Sequence, residues 1–184
     1  MRRLIFVIHV SVDGCCDHMK ITPDEEVGEY FTQLTREAGV QVFGRKTYEL
    51  MVPYWPDALT DPSSNKGDIE FAQAFVALEK VVFSRTLASV ADKNTRVVRG
   101  DLAGEIRRLK QEPGKPILVG GVDIPSQLVQ LGLVDEFQIC VSPVVAGAGR
   151  RLFEGLNLPE RLKLKLADSK AFQTGAVLLR YSKA

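Results

Sequence analysis

The sequence predicts an α/β domain with a mixed, mainly parallel central sheet and an antiparallel hairpin at its carboxyl end. Three observations predict it. Apolar runs at residues 3–10, 40–43, 80–83 and 117–119 lack polar alternation, as strands covered on both faces require. Between them lie stretches with apolar residues at helical spacing: Val27, Tyr30, Phe31 and Leu34, then Leu102, Ile106 and Leu109, then Ile124, Leu128 and Leu131. From residue 162 the pattern changes. Leu and Lys alternate to residue 170, and a last apolar run at 176–181 follows Gln173-Thr174-Gly175, giving a hairpin with one wet face.

A chain of 184 residues suits one full core and is short for two, so a single domain over residues 1–184 is expected. Basic and acidic residues number 24 and 23, leaving a formal charge of +1, so bulk charge gives no reason to expect nucleic acid or an anionic membrane as partner. No apolar run approaches the roughly 20 residues of a membrane helix, and the first residues alternate too much for a signal peptide. A cytoplasmic location is the expectation. Three cysteines fit no disulfide framework. Cys15, Cys16 and His18 lie close together, but no further ligand cluster complements them, so no metal is expected.

The first strand ends at Ser11-Val12-Asp13-Gly14, where Asp-Gly chemistry favours a turn. Asp13 is either the turn former or a carboxylate at the carboxyl end of a central strand, where open α/β sheets place their ligands. Thr22-Pro23-Asp24-Glu25-Glu26 reads as a helix start capped by Thr22. The second strand runs directly into Gly44-Arg45-Lys46-Thr47, a glycine opening a helix with two cations and a hydroxyl beside it. Cations are electrostatically wrong at a helix amino end unless an anion joins them, so this corner suits phosphate. Residues 53–66, with three prolines, read as a loop, and a helix follows over about 68–78. The third strand ends in Ser84-Arg85-Thr86, and a short strand is expected at 96–99.

Residues 116–153 organise the chain. Ile117 to Val119 stop at Gly120 and Gly121, and a helix pattern follows through Val122, Asp123 and Ile124. Paired glycines between strand and helix either form a bare tight turn or let a nucleotide approach the backbone. A strand at 136–145 leads to Ala146-Gly147-Ala148-Gly149, and then Arg150 and Arg151 either hold a phosphate or carboxylate or lie in a solvated turn.

In order, SVDG, FGRKTYE, VVFSRTL and LVGGVDI resemble the motifs of the dihydrofolate reductase fold, a three-layer α/β/α architecture. The continuation LVDEFQICVSPVVAGAGRRLF is closer to the reductase domain of bacterial riboflavin biosynthesis and its stand-alone relatives. The resemblance implies NADPH as hydride donor. Gly44, Arg45, Lys46 and Thr47 match the phosphate-holding segment, Ser84 and Arg85 the strand end at the adenosine 2′-phosphate, and Gly120, Gly121, Val122, Asp123 and Ile124 the turn under the pyrophosphate and nicotinamide. It also implies a homodimer and a small-molecule substrate, the model reaction being reduction of 5-amino-6-(5-phosphoribosylamino)uracil. Arg150 and Arg151 are candidates for the substrate phosphate and Asp13 for a proton relay. Folate reductases carry a carboxylate on the first helix shortly before an aromatic pair; matching that pair to Tyr30-Phe31 puts Val27 or Gly28 there, with Glu26 and Glu29 flanking. A pterin or other heteroaromatic reductase, and a non-catalytic nucleotide-binding dimer, are the alternatives.

Overall fold

The computed structural model describes residues 1–90 and 92–184. In chain order the elements are β1 (Leu4–Ser11), α1 (Glu25–Glu37), β2 (Val40–Gly44), α2 (Arg45–Ala58), α3 (Lys66–Ala77), β3 (Glu79–Phe83), β4 (Thr95–Val98), α4 (Leu102–Gln111), β5 (Ile117–Val119), α5 (Asp123–Gln130), β6 (Glu136–Ser142), β7 (Leu164–Ala171) and β8 (Val177–Lys183). They build one sheet in the order β4-β3-β2-β5-β1-β6-β8-β7. The pairings from β4 to β6 are parallel, and β8 joins both β6 and β7 antiparallel.

Handedness assigns the helices to faces. From β1 the chain steps outward to β2, β3 and β4, then returns to β5 and crosses to β6. Crossovers between parallel strands are right-handed, so the helices must change face when the stepping direction reverses. Accordingly α1 to α3 cover one face and α4 and α5 the other. Alternate residues of β1 divide between two cores: Leu4, Phe6, Ile8 and Val10 pack with Ile106, Leu109 and Leu128, while Ile5 and Val7 pack with Leu34 and Ala38.

Several element boundaries differ from the sequence expectation. Residues 53–58 are not a loop: α2 continues through Pro53 and Pro56, and only residues 59–65 separate it from α3. An interior proline forfeits a helix hydrogen bond and costs roughly 3 kcal/mol. Here tertiary packing offsets that cost, with Val52 buried and Trp55 against Phe71 at 4.4 Å between ring centroids. Thr22 is not the cap of α1. Asp24 is, its Oδ1 accepting from Val27 N–H at 2.9 Å, so the helix opens at Glu25 and Pro23 lies outside it. Strand β6 ends at Ser142, before Pro143, which has no N–H to donate to a ladder. None of the described helices is long and apolar enough to cross a membrane.

Candidate active site

The site begins as a gap in the sheet. Strand β5 has only three residues, and it lies between two longer neighbours. It pairs with β1 over Leu4 to Phe6 and with β2 over Val40 to Val42. Beyond Val119 the chain turns away at Gly120-Gly121, while β1 continues to Ser11 and β2 to Gly44. A slot is left between the carboxyl ends of β1 and β2, floored by the glycine pair. The connections leaving β1 and β5 run to opposite faces of the sheet, which is the crevice where open α/β folds bind ligands.

Two helix amino ends meet at this slot. Neither α2, whose N-cap is Gly44, nor α5, whose N-cap is Val122, has a side-chain cap, and α2 has no acid in its first turn. The first backbone N–H groups of a helix have no partner within it, so these ends suit an anion. The glycines permit the close approach. A Cβ on Gly121, where φ is +89°, would come 2.6 Å from Thr47 Oγ1, and one on Gly44 would sit 3.2 Å from Ile124 Cγ1. Gly120 faces Gln41, whose Nε2 would lie 3.5 Å from an added Cβ. Thr47, Gly121, Gly44 and Ile124 are thereby brought together as the sequence motifs suggested.

The cations at the ends of β2 to β4 are exposed. Arg45 pairs with Glu49 one turn along α2 at 3.2 Å, a solvent-screened contact an anion could exchange with. Among the described residues Lys46, Arg85 and Arg99 form no ion pair. Ser84 Oγ accepts from the N–H groups of Thr86 (3.2 Å) and Leu87 (2.9 Å), shaping the turn that carries Arg85. Arg99 donates to the carbonyl of Ala88 at 3.2 Å and buttresses the same turn. Sequence reasoning missed Arg99; its position just past a strand end, like that of Arg85, was the available signal.

On the other side of the slot Asp13, Arg150 and Arg151 are paired within the chain, which bears on three expectations. Asp13 accepts from Ser11 Oγ (2.6 Å), the N–H groups of Ala146 (2.9 Å) and Gly147 (3.0 Å), and Arg151 (2.9 Å). The Ser11 hydroxyl and these donors hold its carboxyl well below the usual range. A proton-donating carboxyl needs the opposite shift, so the geometry makes Asp13 the lock between the β1 turn and residues 146–151. Arg151 is the other half of that lock; it also donates to the carbonyls of Asp13 and Gly147. Arg150 grips Asp123 with two hydrogen bonds, one at 3.0 Å, which depresses the Asp123 pKa and ties this loop to the start of α5. A substrate phosphate would have to exchange with Asp123 for the exposed Arg150, whereas Arg151 is also tied to two backbone carbonyls.

The wall of the slot on the α1 side holds groups that sequence reasoning did not place there. His9 Nε2 lies 2.6 Å from Ser142 Oγ, and the His9 ring is 6.0 Å from that of Phe31. Burial lowers the His9 pKa, against an opposing pull from Asp24. His9 interrupts an otherwise apolar run from Leu4 to Val10, and that interruption was the legible signal. The carboxylates flanking the aromatic pair point elsewhere. Val27 is fully buried, Glu26 accepts from Gln173 N–H at 2.7 Å, and Glu29 is exposed. Within the helix itself, then, neither Glu26 nor Glu29 serves the slot; the carboxylate that acts on His9 is the cap residue Asp24.

A slot at the strand-order reversal, between two uncapped helix ends and a row of cations, is where an open α/β domain takes a ligand. The chain belongs to the RibD C-terminal domain family, which matches residues 2–178. It is 31% identical over 186 residues to the uncharacterized protein YyaP of Bacillus subtilis (strain 168), covering 98% of this chain and 94% of that one. Solved structures share the fold. A Shewanella sp. PV-4 protein with a provisional riboflavin-biosynthesis name superposes with a TM-score of 0.73 at 19% identity, covering 99% of both chains. The Thermotoga maritima diaminohydroxyphosphoribosylaminopyrimidine deaminase/5-amino-6-(5-phosphoribosylamino)uracil reductase does so at 0.68 and 14% identity, covering all of this chain and 57% of that one.

Proposed function

We propose that this protein is an NADPH-dependent reductase of a small molecule. The observation that carries the reading is the slot left by the short β5, with its glycine floor, two uncapped helix ends and the exposed cations Lys46 and Arg85 beside it. The residues fit a dinucleotide. The bare Gly121 lets Thr47 Oγ1 lie against the glycine turn, where a Cβ would be only 2.6 Å from it; the α2 amino end with Arg45, Lys46 and that hydroxyl would hold the pyrophosphate, and Ser84 with Arg85 would take the 2′-phosphate. When bound, NADPH supplies a hydride; the protein supplies position and electrostatics.

The aminouracil ribose phosphate of riboflavin biosynthesis is the first substrate to test, because the Thermotoga maritima protein of the same fold is named for that reduction. With Arg150 and Arg151 bound internally, its phosphate would have to displace Asp123 from Arg150 or use another cation. A folate-type substrate is less well supported, since neither Glu26 nor Glu29 of α1 serves the slot. A homodimer is part of the same proposal by family resemblance, and sedimentation velocity tests it.

The reading is tested by thermal-shift titration with NADPH and NADH in parallel. A ligand at a hundredfold its Kd adds about 2.7 kcal/mol, or roughly 5–10 °C for a chain of this size. NADPH is expected to give that shift and NADH a smaller one. Equal absence of both shifts would sink the reductase reading and favour a fold retained for another purpose.

A further inference from the structure

We infer that His9, anchored by Ser142, is the proton donor to the substrate, an inference that rests on the reductase reading above. The geometry carries it. Strand β1 runs three residues past the end of its β5 pairing before reaching His9, so the imidazole sits on the exposed flank of the slot. Its period-2 position places it on the face covered by α1, the face toward which Gly120 and Gln41 also look. Phe31 of α1 covers the ring, and Ser142 at the end of β6 fixes one nitrogen at 2.6 Å. Among the described residues Nδ1 has no hydrogen-bond partner, and no buried side-chain nitrogen or oxygen is left unpaired, so Nδ1 reaches solvent. An imidazole with one nitrogen held by a hydroxyl and the other open to solvent can give a proton inward and recover it from water.

The chemistry requires such a group. When hydride reaches the carbon of a C=O or C=N bond, that bond's π pair moves to the heteroatom, which must take a proton. We assign that proton to the His9 imidazolium: its N–H breaks, the heteroatom–H bond forms, and water restores the proton. The balance is one C=X group, one NADPH and one proton converted to CH–XH and NADP⁺. Asp13 is held as a carboxylate by its four donors, and Asp24 is held as one at the α1 cap by the Val27 N–H and the Thr174 hydroxyl. The titratable groups around His9 are Asp24 at the α1 cap, which favours the imidazolium, and its register partner Cys140, a thiol pushed up to about 11 by burial and so neutral.

The test uses the intact protein and exploits its having only two histidines, with exposed His18 as internal reference. The imidazole C2–H signals are followed by NMR against pH, without and with saturating NADP⁺, in wild type, Ser142→Ala and His9→Gln. The expected result is a His9 midpoint below 6.5 that moves in Ser142→Ala, and a His9 signal, but not that of His18, displaced by NADP⁺. With the aminouracil ribose phosphate as probe, turnover should fall with slope −1 above the His9 midpoint. In His9→Gln it should drop about 100-fold and lose that limb, with NADP⁺ affinity kept. A His9 signal unmoved by NADP⁺ that demonstrably binds, or a pH limb that persists in His9→Gln, overturns the inference and leaves the reductase reading standing. Failure of NADP⁺ to bind the wild type overturns both.

Discussion

The two edges of the sheet carry the same kinds of charged residue in opposite states. At the amino edge every buried charge is matched. Lys80 lies 3.0 Å from Asp92 and donates to the Leu78 carbonyl at 2.9 Å; Lys110 reaches Asp135; Glu136 is held between Arg3 and Arg180. At the carboxyl edge, on the β2 to β4 side, Lys46, Arg85 and Arg99 form no ion pair among the described residues. Burying a charge without a partner costs several kcal/mol, so the amino edge had to be balanced within the chain. The carboxyl edge is exposed, so its cations can stay unpaired in water, and the proposed reading gives them a ligand to bind. The teaching is that an arginine's partner, more than its position in a motif, tells structure from function.

The largest expected effect comes from breaking the balanced edge. Lys80→Ala strands Asp92, whose own burial would raise its pKa but whose Asn94, Lys80 and Thr95 donors hold it low. Removing one member of a buried pair costs about 3–5 kcal/mol. Chemical denaturation should show that loss, while NADPH affinity of the folded protein stays at the wild-type value. A loss below about 1 kcal/mol would mean the amino-edge charges are not structural, and the contrast would fail.

Arg85→Ala is the mirror experiment at the open edge. The unliganded protein should unfold within about 0.5 kcal/mol of wild type, because the side chain is exposed and unpaired. NADPH should bind roughly 10- to 100-fold more weakly, the worth of a hydrogen bond to a charged group, and NADH should be unaffected. Calorimetry separates the two ligands. An equal loss for both would place Arg85 on the shared pyrophosphate instead.

Gly121→Ala lies between these cases, touching backbone and ligand together. The φ of +89° and the 2.6 Å approach to Thr47 Oγ1 strain any side chain there, at about 1–3 kcal/mol. Stability and NADPH affinity should fall in parallel, whereas the first two variants separate them.

These contrasts mark what could be read from the sequence. The strands, the glycine floor and the cationic corners were legible because each is local: an apolar run, a glycine pair, a charge beside a helix start. The extension of α2 through Pro53 and Pro56 was not, since the ring packing that tolerates the prolines comes from Phe71 on the next helix. The fates of Arg151 and His9 were least legible. Arg151 is claimed by a carboxylate 138 positions away and His9 by a hydroxyl 133 away, separations no local pattern encodes.

The smallest effect distinguishes a lock from a catalyst at Asp13. Its folded pKa is depressed, so its contribution to stability is fully present above the unfolded value of about 3.8 and is lost only as pH falls through the lower folded value. Asp13→Asn should therefore lower the melting temperature by an amount that is constant from pH 5 to 9 and shrinks only in strong acid. Binding of NADPH should follow the wild-type pH profile throughout, because the lock sits on the balanced side of the slot. If Asp13 instead relayed protons, the substitution would leave melting nearly unchanged and erase an acid or base limb from turnover, which is the signature assigned here to His9.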